Sequence, residues 1–154
     1  KAIEESLDVL RHQGRPTVLE WHVQALIYCA LGAPEAEAPL LRLIERSSDD
    51  EFNGMMGELA RALCEVRRGE DREGYGRLLR FKPELKPTRV QHAFADTLVA
   101  LADLVSARNR GVAIAAYRRA RTVYREIKST TDLYRVRTHV SALAEKPREL
   151  VALG

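Results

Sequence analysis

Apolar residues recur every three or four positions along most of the chain, which is the period of an α-helix. The pattern is clearest where Ala113, Tyr117, Ala120 and Tyr124 follow one another at intervals of four, three and four residues. No stretch alternates apolar and polar residues with a period of two, as a half-buried strand would. The pattern therefore predicts an all-α chain.

Glycines and prolines divide this pattern into about eight predicted helices. Gly32 and Gly69 stand where helices should end, and residues 82–87 are the clearest break. The predicted helices are Ala2–His12, Pro16–Leu31, Pro34–Arg46, Glu51–Arg68, Asp71–Phe81, Thr88–Arg108, a helix that contains Ala113 and ends near Lys128, and Leu133–Ala144. Pro147 should then separate a short tail, Arg148–Leu153.

Equivalent positions of these helices recur at intervals of 35 to 42 residues. The anchors are Trp21, Met56 and Leu98 in three first helices, and Leu41, Leu78 and Tyr117 in the helices that follow them. Intervals of this size are typical of two-helix units that bury their apolar faces by stacking. We predict hairpins at residues 17–50, 51–87 and 88–128, between a leading helix in 1–15 and a capping helix and tail in 131–154. An ordinary helical bundle is the alternative.

Three residues of the second predicted helix match marked positions of the tetratricopeptide W-x2-L-G-x2-Y signature. They are Trp21, Ala25 and Tyr28, while Gln24 stands at the leucine position. The helix around Tyr117 has the small, aromatic, small spacing of the second helix of such a repeat. The chain therefore resembles the tetratricopeptide-repeat family. This resemblance implies an antiparallel helix-hairpin array, an α-solenoid, whose first helices line a groove that binds a peptide or protein.

The resemblance also implies which residues line that groove. The positions are His22, Leu26 and Cys29 in the first hairpin, Arg61, Cys64 and Glu65 in the second, and Val99, Asp103 and Ser106 in the third. They lack the repeated Lys and Arg with which some family members clamp a peptide carboxylate, so that role is not implied. The last hairpin is similar to those in multidomain bacterial regulators, where the array is a sensor or assembly arm. Because the chain begins with Lys1 rather than methionine, we expect a segment of a longer protein.

Charge is divided unevenly along the chain, although the formal net charge is only +3. The first 85 residues hold 12 Lys+Arg and 16 Asp+Glu, whereas the remainder holds 13 and 6. Arg118, Arg121, Arg125 and Lys128 share one predicted helix face, which could follow the phosphates of a nucleic acid or meet another anionic partner. A solvated or acid-paired face is the alternative, because no aromatic residue is interleaved with them.

No catalytic or metal-binding motif stands out in the sequence. The histidines are His12, His22, His92 and His139, and we find no second His, Cys or carboxylate at a spacing that makes a metal site. The motifs HExxH and GxSxG and a phosphate-binding glycine loop are absent from the sequence. We therefore predict a non-enzyme without cofactor or metal. An enzyme would require a polar pocket with converging ionisable groups.

Cys29 and Cys64 lie in predicted helices without a CxxC companion, which indicates two thiols in a reducing compartment. No apolar run approaches the roughly 18 residues of a membrane span, and the chain does not open with a signal-peptide pattern. The sequence thus predicts a cytoplasmic protein-interaction scaffold or sensor module. A nucleic-acid-binding helical repeat that uses the basic C-terminal half is the alternative.

Overall fold

The computed structural model describes residues 25–26, 32, 34–46 and 51–153 of the chain. Over these residues the protein is helical throughout its regular structure, without strands, which confirms the predicted all-α class. The helices are α1 (Glu37–Arg46), α2 (Glu51–Arg67), α3 (Asp71–Leu79), α4 (Thr88–Val105), α5 (Arg110–Glu126) and α6 (Thr130–Leu153), with 3-10 segments at Pro34–Ala36 and Pro83–Leu85. Among them no helix is both long enough and apolar enough to cross a membrane. The predicted helix Ala2–His12 and most of Pro16–Leu31 lie outside the described residues.

The chain divides into two compact units, Lys1–Leu78 and Leu79–Gly154. The first unit holds 10 Lys+Arg and 15 Asp+Glu, a net charge of −5, and the second holds 15 and 7, a net charge of +8. The acidic and basic parts of the sequence are therefore separate compact units.

Close contacts between helices in the first unit depend on glycine. α1 packs against α2, where Ile44 and Met56 are buried. A Cβ on Gly57 would lie 2.8 Å from Ile44 Cγ2, and a Cβ on Gly74 of α3 would lie 2.7 Å from the carbonyl oxygen of Ala62 in α2. Real Cβ atoms do not approach so closely, so α3 and α2 cross tightly at Gly74.

Ion pairs join the same three helices. Arg77 of α3 donates from Nε to Glu65 over 2.5 Å and from Nη1 to Glu58 over 2.6 Å, both on α2. Arg68, just after α2, reaches Glu37 of α1 over 2.5 Å. Glu65 is buried, so its bond to Arg77 provides the partner that a buried carboxylate needs.

In the second unit α4 and α5 form an antiparallel hairpin whose alignment is marked by two hydrogen bonds. The Tyr124 hydroxyl donates to Asp96 Oδ1 over 2.5 Å, and the Tyr117 hydroxyl donates to Asp103 Oδ1. The two tyrosines are seven residues apart on α5, and the two aspartates are seven residues apart on α4. The later tyrosine bonds to the earlier aspartate, as antiparallel packing requires. The predicted face of Ala113, Tyr117, Ala120 and Tyr124 is buried, as expected.

α6 packs against α5 and differs most from the sequence prediction. It begins at Thr130 and continues through Pro147 to Leu153, so the predicted break and separate tail are wrong. Proline has no N–H for the carbonyl four residues earlier, here that of Leu143. Arg110 Nε donates to that carbonyl over 3.3 Å. A side chain of α5 therefore satisfies the acceptor that Pro147 leaves free.

α1 ends at Arg46 as predicted, whereas α2, α3, α4 and α5 end one to three residues before their predicted ends, for local reasons. Gly69, with φ +91°, ends α2 in a left-handed turn. Phe81 leaves α3 and stacks on Phe94 with 5.0 Å between ring centroids. Asn109 accepts a hydrogen bond from Val112 N over 3.3 Å and so caps α5. A capping residue has non-helical backbone angles, so α4 has to end before Asn109.

Candidate functional site

The groove positions implied by the repeat family are largely covered in the first unit. His22 and Cys29 lie outside the described residues, Leu26 and Arg61 are half-buried, and Cys64 and Glu65 are buried. Burial, and next the negative charge of Glu37, raises the pKa of the Cys64 thiol to about 11. Glu65 is already bonded to Arg77. Cys64 and Glu65 therefore offer little surface to a partner.

The groove positions of the second unit are divided between core and surface. Val99 is buried, Asp103 is exposed, and Ser106 follows α4 and donates to the Asp103 carbonyl over 3.1 Å. The carboxylate of Asp103 accepts the Tyr117 hydroxyl bond and lies 3.6 Å from His139 Nδ1. Burial, and then the bond to Asp103, raises the pKa of Tyr117. The structure thus brings Asp103 and Ser106 together and adds two aromatic neighbours that the sequence did not indicate.

The four basic residues Arg118, Arg121, Arg125 and Lys128, here called the basic stripe, follow one side of α5 and the turn after it. Arg118, Arg125 and Lys128 are exposed, and Arg121 is half-buried. α5 ends at Glu126, so Lys128 lies in the turn, with φ +60°, rather than in the helix as predicted. Within the described ranges no carboxylate pairs with these four charges. The acid-paired alternative therefore does not hold there.

A second polar group, which the sequence does not indicate, lies between α4 and α6. His92 Nε2 is 3.0 Å from Asp132 Oδ2, and His92 Nδ1 is 3.1 Å from Asp96 Oδ2. One oxygen of each carboxylate and a ring nitrogen all lie within 4.8 Å of one another. The four-residue spacing of His92 and Asp96 was a usable signal, because such residues share a helix face. Asp132 is 40 residues from His92, and only the fold brings it there.

Three more side chains complete this group, which we call the histidine cluster: His92, Asp96, Tyr124, Ser129, Asp132 and Arg135. Ser129 Oγ donates to Asp132 Oδ2 over 2.5 Å, and Arg135 Nη2 lies 3.3 Å from Asp132 Oδ1 and 3.4 Å from the Tyr124 hydroxyl. Burial opposes ionisation of Asp132, but the bonds from Ser129 and His92 outweigh it and lower the pKa of Asp132. Burial, and then the bond to Asp96, raises the pKa of Tyr124.

The cluster's chemistry is that of an ion-pair network rather than a metal centre. Among the described residues, His92, Asp96 and Asp132 are the one set of three His, Cys, Asp or Glu close enough to share a cation. Each carboxylate, however, already accepts a hydrogen bond, from Tyr124 or from Ser129. The guanidinium of Arg135 would also repel an incoming metal ion.

Comparison of the chain with models of known protein families, with curated proteins and with solved structures finds no match. The structure by itself defines an all-α protein that carries a basic stripe and a histidine cluster in its second unit. The resemblance to tetratricopeptide repeats stays a prediction.

Proposed function

We propose that this chain is a non-catalytic interaction module whose binding surface is the basic stripe and whose partner is an acidic segment of another protein. The observation that carries the proposal is that four basic side chains, on one side of α5 and in the turn after it, have no carboxylate partner among the described residues. Unpaired charge of one sign increases the encounter rate with a partner of opposite sign. The net charge of +8 on this unit adds to the effect.

The arginines of the stripe add a short-range argument for a carboxylate ligand. A guanidinium binds a carboxylate through two parallel hydrogen bonds, which a lysine cannot do. Arg118 and Arg125 are exposed, so their guanidinium groups are open to such a partner.

Nucleic acid is the second candidate, because the same unpaired stripe could contact phosphates. Single-strand binders also stack bases on exposed aromatic rings, whereas the aromatic residues of α5, Tyr117 and Tyr124, are buried. Four charges would contact fewer phosphates than the roughly six to ten of a strong DNA-binding protein. Both arguments favour the acidic protein segment.

The proposal includes a tetratricopeptide-like solenoid arrangement, a cytoplasmic location and a place within a larger regulator. The antiparallel hairpin of α4 and α5 and the close helix crossing at Gly74 support the repeat arrangement. The groove that the repeat resemblance implies contributes less to the proposed binding than the basic stripe does, because its residues Cys64, Glu65 and Val99 are buried.

The test is binding of the full chain to two labelled probes of equal charge, an acidic peptide and a single-stranded oligonucleotide. The stripe variant Arg118→Glu/Arg121→Glu/Arg125→Glu should lose at least about tenfold in peptide affinity, since several charge contacts are reversed. The matched control is Arg80→Glu/Lys82→Glu/Arg137→Glu, which changes the same charge at exposed positions of the same unit.

Peptide binding that is lost only in the stripe variant supports the proposal, as does a native partner captured from lysate after nuclease treatment and lost in the same variant. Equal loss in the control variant would show that net charge, not the stripe, is responsible. Stripe-dependent binding of the oligonucleotide alone would replace the acidic protein segment with nucleic acid.

A further inference from the structure

The two sides of α5 pack against different helices. Arg119 Cζ lies 5.6 Å from the ring centroid of Phe94 in α4, which places α4 on one side. On the other side, Arg110 Nε donates to the Leu143 carbonyl of α6 over 3.3 Å. Arg121 follows Arg110 by eleven residues, about three helical turns, so it lies on the side of α6. The basic stripe, which contains Arg121, therefore runs beside α6.

α6 also has one side that faces α4 and one that does not. Asp132 Oδ2 and His139 Nδ1 lie 3.0 Å and 3.6 Å from side-chain atoms of α4. Val136 is buried. By helical spacing, Leu133 and Val140 lie on the other side of Val136 from Asp132 and His139, and both are half-buried. Leu133 and Val140 therefore face away from α4.

The two helices thus form a groove on the side of the second unit away from α4, which we call the outer groove. Ile114 of α5 is half-buried and lies one turn before Arg118, so it belongs to the same face as the stripe arginines. Apolar side chains line both walls of the groove, and three cations lie on the α5 wall. Its residues are Ile114, Arg118, Arg121, Arg125, Leu133 and Val140.

We propose that the outer groove binds an acidic amphipathic helix of another protein, which lies along α5 and α6. This inference rests on the proposed function, because it takes the acidic partner of the basic stripe and states its conformation. The apolar side of such a helix covers Ile114, Leu133 and Val140, and its carboxylates meet the stripe. Charge complementarity selects an acidic helix, since the stripe arginines have no carboxylate partner among the described residues.

The spacing of the arginines favours a helical partner over an extended one. Arg118 and Arg125 are about 10.5 Å apart along α5, with Arg121 between them. A partner helix with carboxylates three, four and seven residues apart presents them on one face over the same length. An extended segment places every second side chain on one face, about 6.8 Å apart, so three of them span about 14 Å. Carboxylates on an extended segment therefore do not match all three arginines.

The test is fluorescence anisotropy of two labelled acidic peptides with the full chain. The helical probe has glutamates along one side and leucines along the adjacent side. The proline probe is identical except for one proline at a central position that faces solvent, which breaks the helix at a cost of about 3 kcal/mol but keeps every charge and every leucine. The proline probe should bind at least about tenfold more weakly than the helical probe.

Substitutions on the two walls locate the binding site. Ile114→Gln on α5 and Val140→Gln on α6 should each weaken binding of the helical probe by about threefold to tenfold, because each removes apolar contact. Leu104→Gln is the matched control, since Leu104 is also half-buried and apolar but belongs to α4, outside the groove. This variant should bind the helical probe as wild type does. Two separate groove variants guard against misfolding of either one.

The outcomes distinguish this inference from the proposed function. Equal affinity for the two probes, with both lost in the stripe variant, would overturn the helical partner and leave the acidic segment standing. Unchanged affinity in both Ile114→Gln and Val140→Gln would overturn the outer groove as the site. If the wild type binds neither probe, or if the stripe variant binds both as wild type does, the proposed function fails and this inference fails with it.

Discussion

At the residue scale, Gly74 shows how the absence of a side chain brings two helices together. A Cβ at this position would meet the backbone of α2, which cannot move aside as a flexible side chain would. Gly74 and Gly76 both lie in this short helix, and the sequence alone does not say which of them makes the contact.

We expect Gly74→Ala to lower the free energy of unfolding by about 1–3 kcal/mol, the usual cost of overpacking, although alanine favours helix by about 1 kcal/mol. Gly111→Ala is the control, because a Cβ there has no atom within 4 Å, and it should be neutral or stabilising. Urea unfolding measures both variants. Equal stability of Gly74→Ala and wild type would mean that α3 and α2 are not in close contact.

Cys64 should be unreactive in the native protein. Its pKa is raised to about 11, first by burial and then by the charge of Glu37, so little thiolate forms near neutral pH. In a Cys29→Ser background, we expect a thiol reagent at about pH 8 to label Cys64 at least tenfold more slowly than in urea. Equally fast labelling of the folded chain would contradict this burial.

Asp132 should contribute to stability above the acid range. Its lowered pKa means that the folded state holds the carboxylate more strongly than the unfolded chain, so this stability is lost as pH falls below about 4. Urea midpoints measured from about pH 6 to pH 3 should fall more steeply for wild type than for Asp132→Asn. Parallel curves for the two proteins would exclude this role.

The histidine cluster also shows what residue-level sequence reasoning can reach. His92 and Asp96 are four residues apart on one helix, and that pair was predictable. Asp132 and Arg135 enter the cluster through the packing of α6, which begins at Thr130 rather than at the predicted Leu133. The charge balance of the cluster therefore depends on how α6 packs in the second unit, which cannot be recognised from a single sequence.

At the scale of elements, apolar periodicity predicted the six helices of the described residues well and their ends less well. The spacing of Phe81 predicts that it belongs to α3, yet the helix ends at Leu79 and the ring of Phe81 stacks on Phe94. Local rules predict that Pro147 breaks the helix. The prediction fails because the Leu143 carbonyl that Pro147 leaves free finds a donor in Arg110, 33 residues away in the chain. Local rules cannot anticipate contacts of that separation.

The link between Arg110 and Pro147 can be tested with a double-mutant cycle. Arg110→Ala should cost about 1 kcal/mol in the wild-type background, because the Leu143 carbonyl loses its donor. In a Pro147→Ala background the helix supplies its own N–H to that carbonyl, so the cost of Arg110→Ala should shrink. Arg137→Ala, at an exposed position of α6, is the control. Identical costs in both backgrounds would show no coupling between Arg110 and Pro147.

At the scale of the whole molecule, the uneven charge visible in the sequence coincides with a structural division. The sequence indicated a change of sign near residue 85, and the two compact units separate between Leu78 and Leu79. The sequence did not indicate that the basic stripe would lack acidic partners. That property depends on which carboxylates the fold places nearby.

Because the stripe is unpaired, reversing its charges should not destabilise the protein. Arg118→Glu/Arg121→Glu/Arg125→Glu lowers the net charge of the second unit from +8 to +2 and so reduces repulsion within it. We expect the Tm at low salt to stay within about 2 °C of wild type or to rise. A fall of many degrees would mean that the stripe has a structural role, and binding data from the variant could not then be interpreted.

The two tyrosine–aspartate bonds between α4 and α5 also bear on how the hairpin forms. If α5 paired with α4 one turn away, Tyr117 would face Val99, and both hydroxyls would lose their acceptors at about 1–3 kcal/mol each. A shift of seven residues would keep one bond of the two. Misaligned hairpins that form early in folding are therefore unstable and reopen quickly, so this part of the chain should reach its native state without a long-lived kinetic trap.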